Sequence, residues 1–137
     1  MSFDEDLALA RRFTASWAAN DRENLLACAH TDMEFDWTDS RSPFRGSYLG
    51  HAGLLQLWAE MWETLAEISI EIQDAVECSG GRLVTTNLVR ARGLGSGVAT
   101  EARGAMLWTV SEGKVQRAKL FQDREQALAA ANRGARI

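Results

Sequence analysis

Two side chains that could take part in acid–base chemistry lie near predicted strands: the carboxyl group of Asp39 and the guanidinium group of Arg103. A carboxylate can act as a general base or as a polar anchor for a ligand. An arginine offers a planar fork of donors that binds a carboxylate or an enolate oxygen. Both residues also have structural interpretations, because Asp39 precedes Ser40 as in a turn and Arg103 could pair with Glu101 or with Asp39. The residue types alone leave these alternatives open.

The other chemistry-bearing residues lack the spacing of a metal or cofactor site. His30 and His51 form no His-x-x-x-His motif and have no acidic residue at ligand spacing. Cys28 and Cys78 lie in no CxxC motif and are interpreted as free thiols. The glycines of residues 93–97 precede a predicted strand rather than a helix, which argues against a phosphate loop. We therefore expect no metal and no cofactor.

The composition excludes several classes of protein. The 137 residues are 46% hydrophobic and 25% charged, which excludes a disordered chain. A net charge of −4 argues against nucleic-acid binding. The chain has no apolar run long enough for a membrane span, and its start is acidic rather than basic and then apolar as in a signal peptide. We expect a soluble, cytoplasmic protein with neither membrane nor nucleic acid as a partner.

Three helices are predicted in the first half of the chain. Residues 4–20 form the first, with a capping box between Ser2 and Glu5. Asp21 is typical of the N-cap of a short second helix, and residues 51–65 form the third.

Alternating apolar and polar residues predict strands between and after these helices. The predicted strands are residues 33–38, 68–73, 82–92, 98–110 and 115–121. Residues 39–50 contain turn formers and predict a loop, and an alanine-rich helix capped by Asp123 follows the last strand. Helices first and then an antiparallel meander indicate an α+β fold, and residues 1–137 are interpreted as one domain because no linker interrupts them.

Three motifs carry a resemblance to a known family. They are Phe-Asp-Trp-Thr at residues 35–38, Arg-Gly-Ser-Tyr-Leu-Gly-His at 45–51 and Trp-Thr-Val-Ser-Glu-Gly-Lys-Val at 108–115. With the order of elements, they make the chain similar to SnoaL-like proteins of the nuclear transport factor 2-like superfamily, which includes ketosteroid isomerases and polyketide cyclases. The resemblance implies a cone: a strongly curved antiparallel sheet whose concave face surrounds an apolar pocket. Three N-terminal helices would cover that face, a short helix would end the chain, and homodimers would form through the outer sheet face.

The resemblance also implies where isomerase chemistry would lie. Ketosteroid isomerases use a tyrosine on the first helix, an aspartate base on the first strand and a protonated aspartate on a later strand. The matching positions here are Phe13, Trp37 and Ala105, and none of these side chains can exchange a proton. A further pocket tyrosine of the isomerases matches Trp58. Steroid isomerase activity is therefore not expected.

The same matches imply which side chains face the pocket. Because strand side chains alternate, an inward Trp37 implies inward Phe35 and Asp39, and an inward Ala105 implies inward Arg103 and Leu107. Asp39 and Arg103 are thus the candidate catalytic residues. The candidate ligand-binding residues are Phe13, Trp17, Phe35, Trp37, Tyr48, Trp58, Trp62, Asn87 and Leu107.

Trp108 is one residue out of phase with Ala105 and is expected on the outer face of the sheet, in a homodimer interface. The leading hypothesis is a protein that binds a hydrophobic small molecule in the cone, with or without cofactor-free acid–base chemistry such as isomerisation, cyclisation, dehydration or hydrolysis. A non-catalytic ligand-binding or dimerisation module is the alternative.

Overall fold

Four helices and six strands make up the part of the chain that the computed structural model describes, residues 2–40 and 42–134. The helices are α1 (Phe3–Ala18), α2 (Arg22–Cys28), α3 (Gly50–Thr64) and α4 (Arg124–Gly134). The strands are β1 (Ala29–Asp36), β2 (Ser47–Leu49), β3 (Leu65–Cys78), β4 (Arg82–Gly93), β5 (Ala99–Ser111) and β6 (Lys114–Phe121). The mixed α+β class is confirmed. None of the described helices is long and apolar enough to cross a membrane.

Side-chain caps mark the beginning of α1, α2 and α4, whereas α3 begins without one. The Ser2 hydroxyl accepts a 3.2 Å hydrogen bond from the Glu5 backbone N–H, and the Glu5 carboxylate accepts one from the Ser2 N–H at 3.3 Å. This confirms the predicted capping box. The carboxylates of Asp21 and Asp123 accept in the same way from the N–H groups three residues later, at 3.2 and 2.9 Å. Both aspartates satisfy helix N–H groups that would otherwise lack a partner.

The six strands form one sheet in the order β2-β1-β6-β5-β4-β3. From β3 to β6 each strand pairs antiparallel with the next, which is the predicted meander. The sequence did not predict the position of β1, which pairs parallel with β6, or of the short strand β2 within residues 39–50. The parallel pairing places β1 beside β6 and so completes the sheet that carries the candidate site.

The two faces of the sheet pack against different helices. We call the face covered by α1, α2 and α3 the inner face and the face covered by α4 the outer face. The larger core lies on the inner face and includes Phe13, Phe35 and Trp108. A smaller core lies on the outer face, where Leu107 of β5 packs with Ala127 of α4.

The predicted phase of β5 is wrong. Ala105 and Leu107 belong to the outer core, whereas Met106 and Trp108 belong to the inner core. The Trp108 side chain is fully buried, so its expected exposure in a dimer interface is wrong too. A strand shifted by one residue turns every side chain to the opposite face. A register irregularity of this kind lies in the β5–β6 ladder, between Thr109 and Val110.

Candidate functional site

A cavity of about 360 Å³ lies between the helices and the inner face of the sheet. Pockets that bind small organic molecules have volumes in this range. Most of its wall is apolar, with aliphatic side chains from α3, β3, β4 and β5. Its aromatic residues are Phe13, Trp17, Phe35, Trp37, Phe44, Trp108 and Phe121.

The aromatic residues of α1 and β1 pack edge to face along one side of the cavity. The Phe13 ring stands nearly perpendicular to Phe35 and Trp108, with centroids 5.7 and 5.4 Å away. Phe35 in turn makes edge contacts with Trp17 at 5.7 Å and Trp37 at 5.6 Å. Each contact has the geometry that aromatic quadrupoles favour, which holds the rings in place.

Several polar side chains on the cavity wall have partners within the protein. The Thr14 hydroxyl donates to the backbone carbonyl three residues earlier at 3.0 Å, as side chains inside helices often do. The Ser40 and Ser42 hydroxyls lie 2.8 Å apart in one hydrogen bond. The Gln122 amide donates to the backbone carbonyl of Asp39 at 2.5 Å, which ties the β1–β2 loop to the end of β6. These hydrogen bonds hold the polar side chains and the β1–β2 loop of the cavity wall in place.

Asn87 is different because its buried side-chain oxygen has no partner. It lines the cavity from the middle of β4, between Ile72 of β3 and Gly104 of β5, and is only 4% exposed. Among the described residues nothing hydrogen-bonds to its Oδ1 atom, and the indole Nε1 atoms of Trp17 and Trp37 are likewise unpartnered. Buried polar groups without partners are uncommon and need an explanation.

Asp39 was predicted to face the cavity together with Phe35 and Trp37, but it does not. The strand ends at Asp36, and the chain then turns, with the Ser40 N–H donating to the Trp37 carbonyl at 3.0 Å. Asp39 lies in this turn, is exposed and is not part of the cavity wall; its carboxylate is 3.5 Å from the Lys119 ammonium. The alternation that placed Asp39 inward stops where the strand stops.

Arg103 lies at the rim of the cavity but is exposed. It shares the phase of Leu107 on β5, whose side chain is on the outer face, so Leu107 itself is absent from the cavity wall. The alternative pair with Glu101 does not form, since that carboxylate accepts from Arg90 at 3.0 Å. No ion pair joins Arg103 to Asp39 in the described structure.

Three more candidates, Tyr48, Trp58 and Trp62, pack outside the cavity wall. The Tyr48 hydroxyl donates to the Phe44 carbonyl at 2.8 Å, and burial, with a smaller effect from nearby Glu60, raises the pKa of Tyr48. Trp58 and Trp62 each come one residue after a buried position of α3, Leu57 and Met61, so they are only half-buried.

One buried carboxylate that sequence reasoning missed is Asp36, on the outer face. Its Oδ2 atom lies 3.0 Å from the Arg117 guanidinium and 3.7 Å from the Lys119 ammonium, and Thr38 donates to its Oδ1 from both hydroxyl and backbone. Burial alone raises the pKa of Asp36, but the Thr38 hydrogen bonds and the two cations together outweigh it and hold the pKa below its ordinary value. The sequence pattern placed Asp36 on the polar face, with no signal that it would be buried.

The cavity wall also includes residues that were not predicted: Thr14, Ser40, Ser42, Phe44, Met106, Trp108 and Gln122. An inward Met106 and Trp108 would have followed from the correct phase of β5. The loop residues had no signal, because no periodicity applies there. Within residues 2–40 and 42–134, no three His, Cys, Asp or Glu side chains are placed to hold a metal ion.

Residues 10–118 match the family model of the SnoaL-like domain. The chain belongs to the SnoaL-like family. No curated protein sequence is a significant match. The matched range includes every residue of the cavity wall except Leu120, Phe121 and Gln122.

Solved structures share this SnoaL-like fold over nearly the whole chain. TerC co-crystallized with polyporic acid is 20% identical, with a TM-score of 0.74 over 93% of this chain and 97% of its own. An NTF2-like protein of unknown function from Burkholderia pseudomallei K96243 is 19% identical, with a TM-score of 0.76 over 96% and 98%. A Mycobacterium tuberculosis protein in complex with estradiol-17beta-hemisuccinate is 14% identical, with a TM-score of 0.74 over 85% and 92%. At these identities the likeness establishes the fold, which is NTF2-like.

Proposed function

We propose that this SnoaL-like protein binds a planar, largely apolar small molecule in the cavity between α1, α3 and the inner face. The observation that carries the proposal is the aromatic wall, in which Phe13, Phe35 and Trp37 hold one another edge to face beside an open volume of about 360 Å³. Flat aromatic surfaces offer a ring-shaped ligand a large contact area. Two structural neighbours, crystallised with polyporic acid and with estradiol-17beta-hemisuccinate, support a ring-containing ligand.

Binding fits this cavity better than acid–base catalysis does. A general base must lie within hydrogen-bond reach of the proton that it removes. Among the described wall residues the single charged side chain is Arg103, which offers hydrogen-bond donors and no acceptor for a proton. Asp39 faces Lys119 outside the wall, so we expect Asp39→Asn to leave ligand affinity unchanged within about twofold.

A neutral fluorescent probe, N-phenyl-1-naphthylamine, tests the proposal. We expect saturable binding of one probe per chain, with a blue shift of its emission and quenching of tryptophan fluorescence, because Trp17, Trp37 and Trp108 all line the cavity. The variant Val89→Phe adds a larger side chain to the cavity wall of β4 and should weaken probe binding at least about tenfold.

The matched control is Arg90→Phe, which makes the same residue at the next position of β4, outside the cavity wall. It removes an exposed ion pair with Glu101, a small loss of stability. Probe affinity should remain that of the unaltered protein. Equal weakening by both variants, or no saturable binding at all, would refute the proposed cavity function.

A further inference from the structure

The unpartnered amide oxygen of Asn87 indicates which ligand the cavity selects. Resting on the proposed binding function, we propose that Asn87 is a specificity-determining residue that requires a hydroxyl group on the ring of the ligand. The chemical class is therefore a hydroxylated aromatic compound, and an otherwise equal ring without the hydroxyl should be rejected.

The position of Asn87 makes it a recognition group rather than a structural amide. Its side chain is 4% exposed and lines the cavity, and its Oδ1 atom has no partner among the described residues. The neighbouring residue on β5 is Gly104, which has no side chain that could reach the amide. A structural asparagine at this depth would be expected to bond to a neighbouring strand or loop.

The polar groups of the wall that are already hydrogen-bonded within the protein provide the contrast. Thr14 donates to a backbone carbonyl of its own helix, and Gln122 donates to the backbone of the β1–β2 loop. A ligand gains little by replacing such bonds. At Asn87 the ligand supplies a hydrogen bond that the protein alone does not make.

A hydroxyl is the ligand group that matches this amide best. An asparagine presents either its oxygen, which accepts, or its NH₂ group, which donates, depending on how the amide is turned. A hydroxyl both donates and accepts, so it pairs with either orientation. A methyl group of similar size does neither and would leave the buried amide unpaired in the complex, which is how a polar site rejects an apolar analogue.

Two nearly isosteric ligands, 2-naphthol and 2-methylnaphthalene, test the inference on the unaltered protein. Equilibrium dialysis of each compound at neutral pH gives its Kd. We expect 2-naphthol to bind about tenfold more tightly although it is the less hydrophobic of the two. Equal affinity, or tighter binding of 2-methylnaphthalene, would overturn the role of Asn87 and leave the proposed cavity function intact. Failure of both compounds to bind would overturn both proposals.

Two variants then assign the preference to the amide. Asn87→Leu keeps the side-chain size and should abolish or reverse the preference for 2-naphthol. Thr86→Leu introduces the same side chain at the preceding position of β4, outside the cavity wall, so the preference should persist. A preference for 2-naphthol that survives Asn87→Leu, in a variant with unchanged far-UV circular dichroism, contradicts the inference.

Discussion

The indole Nε1 of Trp108 donates a 2.8 Å hydrogen bond to the Thr85 hydroxyl, and both side chains are fully buried. The bond joins β5 to β4 on the inner face. It satisfies the one polar atom of the largest fully buried side chain in the described structure. An indole can lie at this depth because its N–H has a partner there.

Replacing Thr85 with Val should therefore destabilise the protein. The substitution keeps the shape of the side chain but leaves the Trp108 N–H buried without a partner, at a cost of about 1–3 kcal/mol in the free energy of unfolding. Urea denaturation measures the change. Thr86→Val, one residue along and on the opposite face, should change stability by less than about 0.5 kcal/mol. Similar values for the two variants would contradict the buried hydrogen bond.

The phase of β5 can be tested with adjacent alanine substitutions. Leu107→Ala removes contacts between the sheet and α4, so it should lower stability by about 2–4 kcal/mol while the affinity for N-phenyl-1-naphthylamine stays within about twofold. Met106→Ala removes contact area from the cavity wall and should weaken probe binding by about threefold to tenfold. Weakened binding in Leu107→Ala and unchanged binding in Met106→Ala would show that the phase is inverted.

Asp36 should contribute stability that depends on pH. Its pKa is lower in the folded protein, so the folded state favours the carboxylate form. The contribution is complete above the unfolded pKa of about 3.9 and is lost as the pH falls through the lower folded value. Asp36→Asn should then be less stable than the unaltered protein by about 1–3 kcal/mol at pH 7, and this difference should narrow below about pH 4.

Urea denaturation at a series of pH values gives both curves for Asp36→Asn. Asp74→Asn is the control, because Asp74 is half exposed in its 3.3 Å pair with Arg124 and should matter by less than about 1 kcal/mol at any pH. A stability difference for Asp36→Asn that stays constant from pH 7 to pH 3 would contradict the lowered pKa.

The sequence predicted the helices and the meander, but it could not settle the phase of β5. Ala105 and Leu107 are apolar because α4 covers them, and Met106 and Trp108 are apolar because the main core covers them. Alternation identifies an inward face only where the other face is polar. On β1 the other face is polar, and there Phe35 and Trp37 were correctly placed on the cavity wall.

The candidate site was predictable on α1 and β4, although not on α3 or β5. Phe13, Trp17 and Asn87 lie on a helix and a strand with clear periodicity, and the structure places all three on the cavity wall. Asp39 lies just past the end of β1, where the backbone turns and no periodicity governs the direction of the side chain. Local sequence also cannot reveal the partners of Asp36, because Arg117 is 81 residues away along the chain.

The parallel pairing of β1 with β6 determines when the cavity can form during synthesis. Glu34 of β1 and Arg117 of β6 are register partners separated by 83 residues, so β1 has no neighbour on that side until nearly the whole chain has left the ribosome. The antiparallel pairings from β3 to β5 close over short loops and can form earlier. The aromatic wall that includes Phe35 and Trp37 is therefore completed last, and a chain interrupted before β6 would expose it to solvent and to aggregation.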